Sequence, residues 1–87
     1  MIETEALNAA VAARLAHIRR SLEPTLTQIE WAKKHGFGNT QVSNWENGFR
    51  RIPVECAEVL CAAYGLTLDY VYLGRRDGLA SKVSKLL

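Results

Sequence analysis

Cysteine is scarce: Cys56 and Cys61 are the only two in 87 residues. A disulfide scaffold is therefore excluded, and both are expected to be reduced, buried thiols of a cytoplasmic chain. They stand five residues apart, about 140° around a helix, so they share no face and cannot form a two-ligand metal site. His17 and His35 stand alone in the sequence, and no Cys/His pair has ligand spacing. No metal, no cofactor and no nucleophilic or acid/base constellation is expected, which argues against an enzyme. No run approaches the roughly 18 apolar residues of a transmembrane helix. The start, Met1-Ile2-Glu3-Thr4-Glu5, is acidic, which is wrong for a secretory signal. Alternating Val, Ile and Thr runs are absent too, so no strand is predicted. Internal repeats and low-complexity segments are also missing.

What remains is the composition of an ordinary soluble domain, 48% apolar and 23% charged. A chain of this length makes one domain and buries roughly 60–65% of the surface its unfolded form exposes. The net charge is only +2, but it is unevenly spread. Residues 19–51 hold six cations (Arg19, Arg20, Lys33, Lys34, Arg50 and Arg51) against three anions. Residues 52–74 hold Glu55, Glu58 and Asp69 and no cation, and residues 75–87 turn basic again. A basic middle is what a face meeting an anion requires. Lys33 and Lys34 are read as solvent-facing.

Helical periodicity runs the length of the chain. Leu7, Val11, Leu15, Ile18 and Leu22 predict one helix over residues 5–22, ended by Pro24. Thr27 and Glu30 form a capping box for a second helix from Gln28 to His35, stopped by Gly36. A third runs from about Asn39 to Asn47, with Val42 and Trp45 inward and Gly48 at its end. Pro53 is well suited to be the first residue of a fourth, whose stripe is Val54, Ala57, Leu60, Cys61 and Tyr64. Gly65 closes it. Thr67 caps a fifth helix over Leu68 to Leu73, ended by Gly74. Leu79, Val83 and Leu86 have the spacing of a short sixth helix, the alternative being a frayed tail.

The segment Gln28 to Trp45 carries the most information. Two helices joined by a tight turn approach closely at one point, which calls for a small residue at Ala32. The turn needs a left-handed backbone, which Gly36 supplies. Val42 and Trp45 then lock the following helix onto the first. This is a helix-turn-helix pattern. Outward, that helix presents Asn39, Thr40, Gln41, Ser43 and Asn44. Amides and hydroxyls are weaker helix formers than Glu or Lys, but they suit base edges. An amide bonds adenine N6 and N7 together, and a Thr methyl packs on the thymine methyl. Trp31 and Trp45 are read as core rather than base-stacking residues.

Gln28, Ala32, Gly36, Val42, Trp45-Glu46-Asn47-Gly48, Pro53 and Tyr64-Gly65-Leu66-Thr67-Leu68-Asp69 together resemble the lambda-repressor-like (Xre or Cro type) helix-turn-helix family. The likeness covers about Arg14 to Gly74. The chain departs from the family in a longer loop at Leu22–Leu26, in Gly38 at the cap of the third helix, in His35 at a usually apolar slot, and in a recognition helix without Lys or Arg. The resemblance implies an all-α fold of five helices, with the sixth as an addition. It implies base contacts from Asn39, Thr40, Ser43 and Asn44, phosphate contacts from Gln28, Gln41, Asn47, Arg50 and Arg51, and a structural acid at Glu46. Family members often dimerise through the C-terminal region, here Leu68, Val71, Tyr72, Leu79, Val83 and Leu86.

The expectation is a bacterial or phage transcriptional regulator, a repressor or controller that binds a palindromic DNA operator as a homodimer. Residues 1–13 extend the first helix, residues 14–74 form the DNA-binding domain, and residues 75–87 are a tail suited to dimerisation. The rival expectation is a protein-interaction module, an antitoxin or antiactivator that keeps the fold and acts on a protein partner. Its support is the cation-free recognition helix.

Overall fold

The computed structural model describes the backbone of residues 2–87 and side chains from Ala6 onward. Met1 and the side chains of the acidic start lie outside the described residues. Six α-helices and no strand occur among these residues: α1 Ile2–Leu22, α2 Gln28–His35, α3 Asn39–Glu46, α4 Val54–Tyr64, α5 Leu68–Leu73 and α6 Ser81–Leu86. None is long and apolar enough to cross a membrane. The all-α expectation holds, and the tail is a sixth helix rather than a frayed end.

Local sequence sets most of the boundaries. The Thr27 hydroxyl accepts from the Glu30 N–H (3.1 Å), and the Glu30 carboxylate accepts from the Thr27 N–H (2.9 Å). These bonds also hold the Glu30 carboxyl below the usual range. Such a cap contributes about 1 kcal/mol. At the other end of α2, Gly36 sits at φ +76°, and the Phe37 N–H reaches back to the Ala32 carbonyl at 2.8 Å. No atom lies near a Cβ added there, so backbone conformation, not space, requires this glycine. Thr67 caps α5 through the Tyr70 N–H. Two boundaries differ from the reading by a few residues: α1 begins at Ile2 and α4 at Val54, with Pro53 as its cap.

Val11, Leu15 and Ile18 of α1 meet Trp31 and Ala32 of α2, Val42 and Trp45 of α3, Ala57 and Leu60 of α4, and Tyr70 and Val71 of α5 in one core. Ile52, Leu66 and Leu79 enter it from the connecting segments. Leu7 was expected on the buried stripe but is 53% exposed, because no other helix covers that turn of α1. Val54 was expected inside and is exposed at the first turn of α4. Cys56 and Cys61, expected to be buried, are free and half-buried at the margin of the core; burial raises both thiol pKa values.

A cluster of rings joins α2, α3 and α4. Trp31 lies edge-on to His35 and Phe37, and Phe37 lies edge-on to Trp45. The Trp31 indole N–H donates to the Tyr64 hydroxyl at 3.0 Å, and that hydroxyl lies 2.7 Å from His35 Nε2. The Tyr64 hydroxyl thus accepts from Trp31 and shares a second hydrogen bond with His35 Nε2, whose donor is set by the imidazole tautomer. Burial holds the His35 pKa below its ordinary 6.5, and the neighbouring Lys34 cation pushes the same way.

In the window below about 6.5 the unfolded chain therefore binds more protons than the folded one, so stability is complete above that pH and declines as pH falls toward the folded value. Replacing His35 with Phe should flatten this decline. Urea midpoints at about pH 7.5 and about pH 5 measure it. Equal losses in wild type and H35F would show that His35 is not the titrating group.

Candidate nucleic-acid interface

The orientation of α3 is set on two sides. Val42 and Trp45 are buried beneath it, which turns the remaining positions outward. At its C-terminal end, the Arg19 guanidinium of α1 bonds the Glu46 carboxylate through two atoms, at 2.9 and 2.8 Å. A carboxylate at a helix C-terminus opposes the helix dipole, so this fork is what makes Glu46 tolerable there. The Gln28 side-chain amide donates to the same carboxylate at 3.0 Å. Three helices thus meet at one acid. Bonding to Glu46 pushes the Arg19 pKa up.

Asn39, Thr40 and Gln41 are exposed on the first turn of α3. Ser43 and Asn44 are half-buried rather than fully outward. The cause is the segment after α3, which folds back so that the Phe49 and Arg50 N–H groups donate to the Asn44 carbonyl at 3.0 and 3.3 Å. Gly48, at φ +77°, makes that reversal. Gln41 supplies the cap that Gly38 lacks: its side-chain oxygen accepts from the Gly38 N–H at 2.8 Å, leaving its NH₂ as a donor. Asn47 is exposed, and its amide donates to the Ser43 hydroxyl at 3.3 Å.

Arg50 and Arg51 are both exposed beside α3, and the Arg51 guanidinium lies 5.0 Å from the centre of the Tyr72 ring. A groove of about 620 Å³ brings Thr40, Gln41, Asn44, Arg50 and Arg51 together. Gln28, Asn39, Ser43 and Asn47 are not among its lining residues. Trp45 and Pro53, read as structural, also line it, and two further lining residues, Asn8 of α1 and Phe49, were missed by sequence reasoning. Phe49 is 76% exposed. Its place directly after a Gly that ends a helix was the available signal. Asn8 carried none, because only the packing of α1 beside α3 brings it there.

No protein-family model, no curated protein and no solved structure matches this chain.

The C-terminal positions do not share a face. Val71 and Leu79, expected at a dimer contact, are core residues of the protomer itself and are not available to a partner. Tyr72 is half-buried, and its hydroxyl donates to the Ile52 carbonyl at 2.6 Å. Val83 is half-buried against the core near Gly65. Only Leu68 and Leu86 are exposed. The tail is held down: Arg76 donates to the Ser84 carbonyl and hydroxyl, and His17 Nε2 donates to the Leu87 carbonyl at 2.8 Å. Lys34 is exposed, as read, and is also paired with Glu23. That contact raises its pKa.

The side chains of Arg19 and Glu46 are only 10% and 7% exposed. Removing one partner strands a buried charge, so Glu46→Ala should lower unfolding free energy by about 3 kcal/mol. Removing both, as Arg19→Met with Glu46→Leu, should recover most of that loss. Urea denaturation decides the matter. A double variant as unstable as the single one would mean that the pair is not the source of the effect.

Proposed function

We propose that this chain is a lambda-repressor-like helix-turn-helix regulator that reads double-stranded DNA by setting α3 into the major groove. The observation that carries the reading is the row of uncharged amides and hydroxyls on α3, Asn39, Thr40, Ser43 and Asn44, backed by buried Val42 and Trp45. Thr40 and Asn44 are one turn apart and border the same groove, so they meet neighbouring base pairs. Asn44 bonds adenine through its amide, and the Thr40 methyl packs on thymine. Gln28, Gln41, Asn47, Arg50 and Arg51 bond phosphates and fix the register. The free N–H groups at the start of α2 stand beside Gln28 and favour an anion in the same place.

Discrimination by amides alone is modest per position, so a useful operator needs two half-sites. We infer a homodimer on a palindrome, joined along the edge of α6. There Val83 and Leu86 line a groove of about 450 Å³ with Leu22, Ala63 and Tyr64, flanked by the charges of Glu23 and Lys82. Leu86 is the exposed anchor of that edge.

A second reading is favoured by one observation. Phe49 is a large exposed ring beside two arginines, a combination enriched in protein interfaces. On that reading the chain is an antitoxin-like or antiactivator module acting on a protein.

Selection of bound sites from random duplexes with purified protein tests the DNA reading, and failure to enrich any sequence would favour the protein partner. On the selected operator, Asn44→Ala should cost roughly 1–3 kcal/mol and little on random DNA. Equal losses on both would make Asn44 a backbone contact. For the dimer, Leu86→Glu should yield a monomer by light scattering with the thermal midpoint of the protomer unchanged. A variant that stays dimeric places the interface elsewhere.

A further inference from the structure

The groove beside α3 has two walls of different origin. One is the segment after α3, with Phe49, Arg50 and Arg51; the other carries Asn8, from the N-terminal half of α1. Among the described residues that line it, none is a carboxylate and two are guanidiniums. The cleft is thus suited to an anionic strand rather than to an acidic side chain of its own fold.

Phe49 cannot be explained as packing, since it is 76% exposed. Nor is it loosely held. Its N–H is bonded to the Asn44 carbonyl, and Gly48 ahead of it is fixed in the left-handed region. With the backbone already fixed, only the side-chain torsions of Phe49 remain to be ordered when a ligand covers the ring. Asn8 is anomalous in another way. It stands in an alanine-rich run, Ala6, Ala9, Ala10, Ala12 and Ala13, where alanine would make the better helix. It is also half-buried at the groove.

We propose that this groove seats one sugar–phosphate strand of the duplex. The Phe49 ring covers a deoxyribose, the apolar part of the strand, while Asn8 and Arg50 bond phosphate oxygens from opposite sides. The inference rests on the DNA reading above and adds α1 to the interface, so that the protein grips the strand as well as reading the groove. Such contacts carry no sequence information, so their loss is felt alike on every duplex.

The experiment is a fluorescence-anisotropy titration of wild type, Phe49→Ala and Asn8→Asp with two probes, the selected operator and a random-sequence duplex, at one fixed salt concentration. Circular dichroism confirms folding, and neither position is a core residue. Phe49→Ala should weaken both probes about tenfold, the effect of uncovering part of a phenyl ring. Asn8→Asp sets a carboxylate against a phosphate and should weaken both probes too, more at low salt than at high. Loss on the operator alone would make these residues base readers and overturn the proposal. Unchanged affinity for both probes in both variants would overturn it as well and assign Phe49 to a protein partner. A wild type that binds neither probe would instead sink the DNA reading itself.

Discussion

Glu46 is the single point through which α1, α2 and α3 are tied. Its carboxylate sits at the wrong end of a helix for a negative charge, and it is kept there by the two-atom fork from Arg19 and the amide of Gln28. Each bond constrains a different helix. Arg19 sets how far α3 leans against α1, and Gln28 sets where α2 begins relative to the end of α3. Apolar packing by Val42 and Trp45 decides which face of α3 is inward, but packing is tolerant of small rotations. The directional bonds at Glu46 remove that tolerance. An amide row can present hydrogen-bonding groups in register with a ligand only if its helix is held this tightly.

The rings on the far side of α2 do the complementary work. Trp31, His35 and Phe37 fill the space between α2, α3 and α4, and Tyr64 satisfies both the indole N–H and an imidazole nitrogen. The histidine stands where an apolar side chain would be cheaper to bury. Its cost is offset by the hydrogen bond to Tyr64, which makes this part of the core depend on proton concentration.

The segment from Glu46 to Pro53 connects these structural features to function. Gly48 reverses the chain, the Asn44 carbonyl takes two N–H groups from the returning strand of residues, and Ile52 anchors the end in the core. Phe49 and Arg50 are consequently exposed but held, and Arg51 lies over Tyr72. The groove so formed is bordered by α3, by the segment after it and by Asn8 of α1. It joins two cations, four polar side chains of α1 and α3, and the rings of Trp45 and Phe49, with no acid among the described residues that line it.

Much of this could be read in the chain itself, wherever the cause was local. The capping box at Thr27–Glu30, the left-handed glycines at 36, 48, 65 and 74, and the inward pair Val42 and Trp45 each follow from a few neighbouring residues, because caps, turns and helical periodicity are short-range physics. Three things needed the fold. Leu7 and Val54 obey helical spacing yet stay in water, because spacing says which face is apolar but not how far another helix reaches to cover it. Val71 and Leu79 were equally apolar and equally spaced, yet the protomer uses them itself. The partners of Glu46, the contacts of Trp31 and His35 with Tyr64, and the presence of Asn8 in the groove span 18 to 33 residues of chain or more. Only the packing of α1 and α4 against the α2–α3 pair brings such distant groups within bonding range, and no local pattern of residue types encodes that meeting.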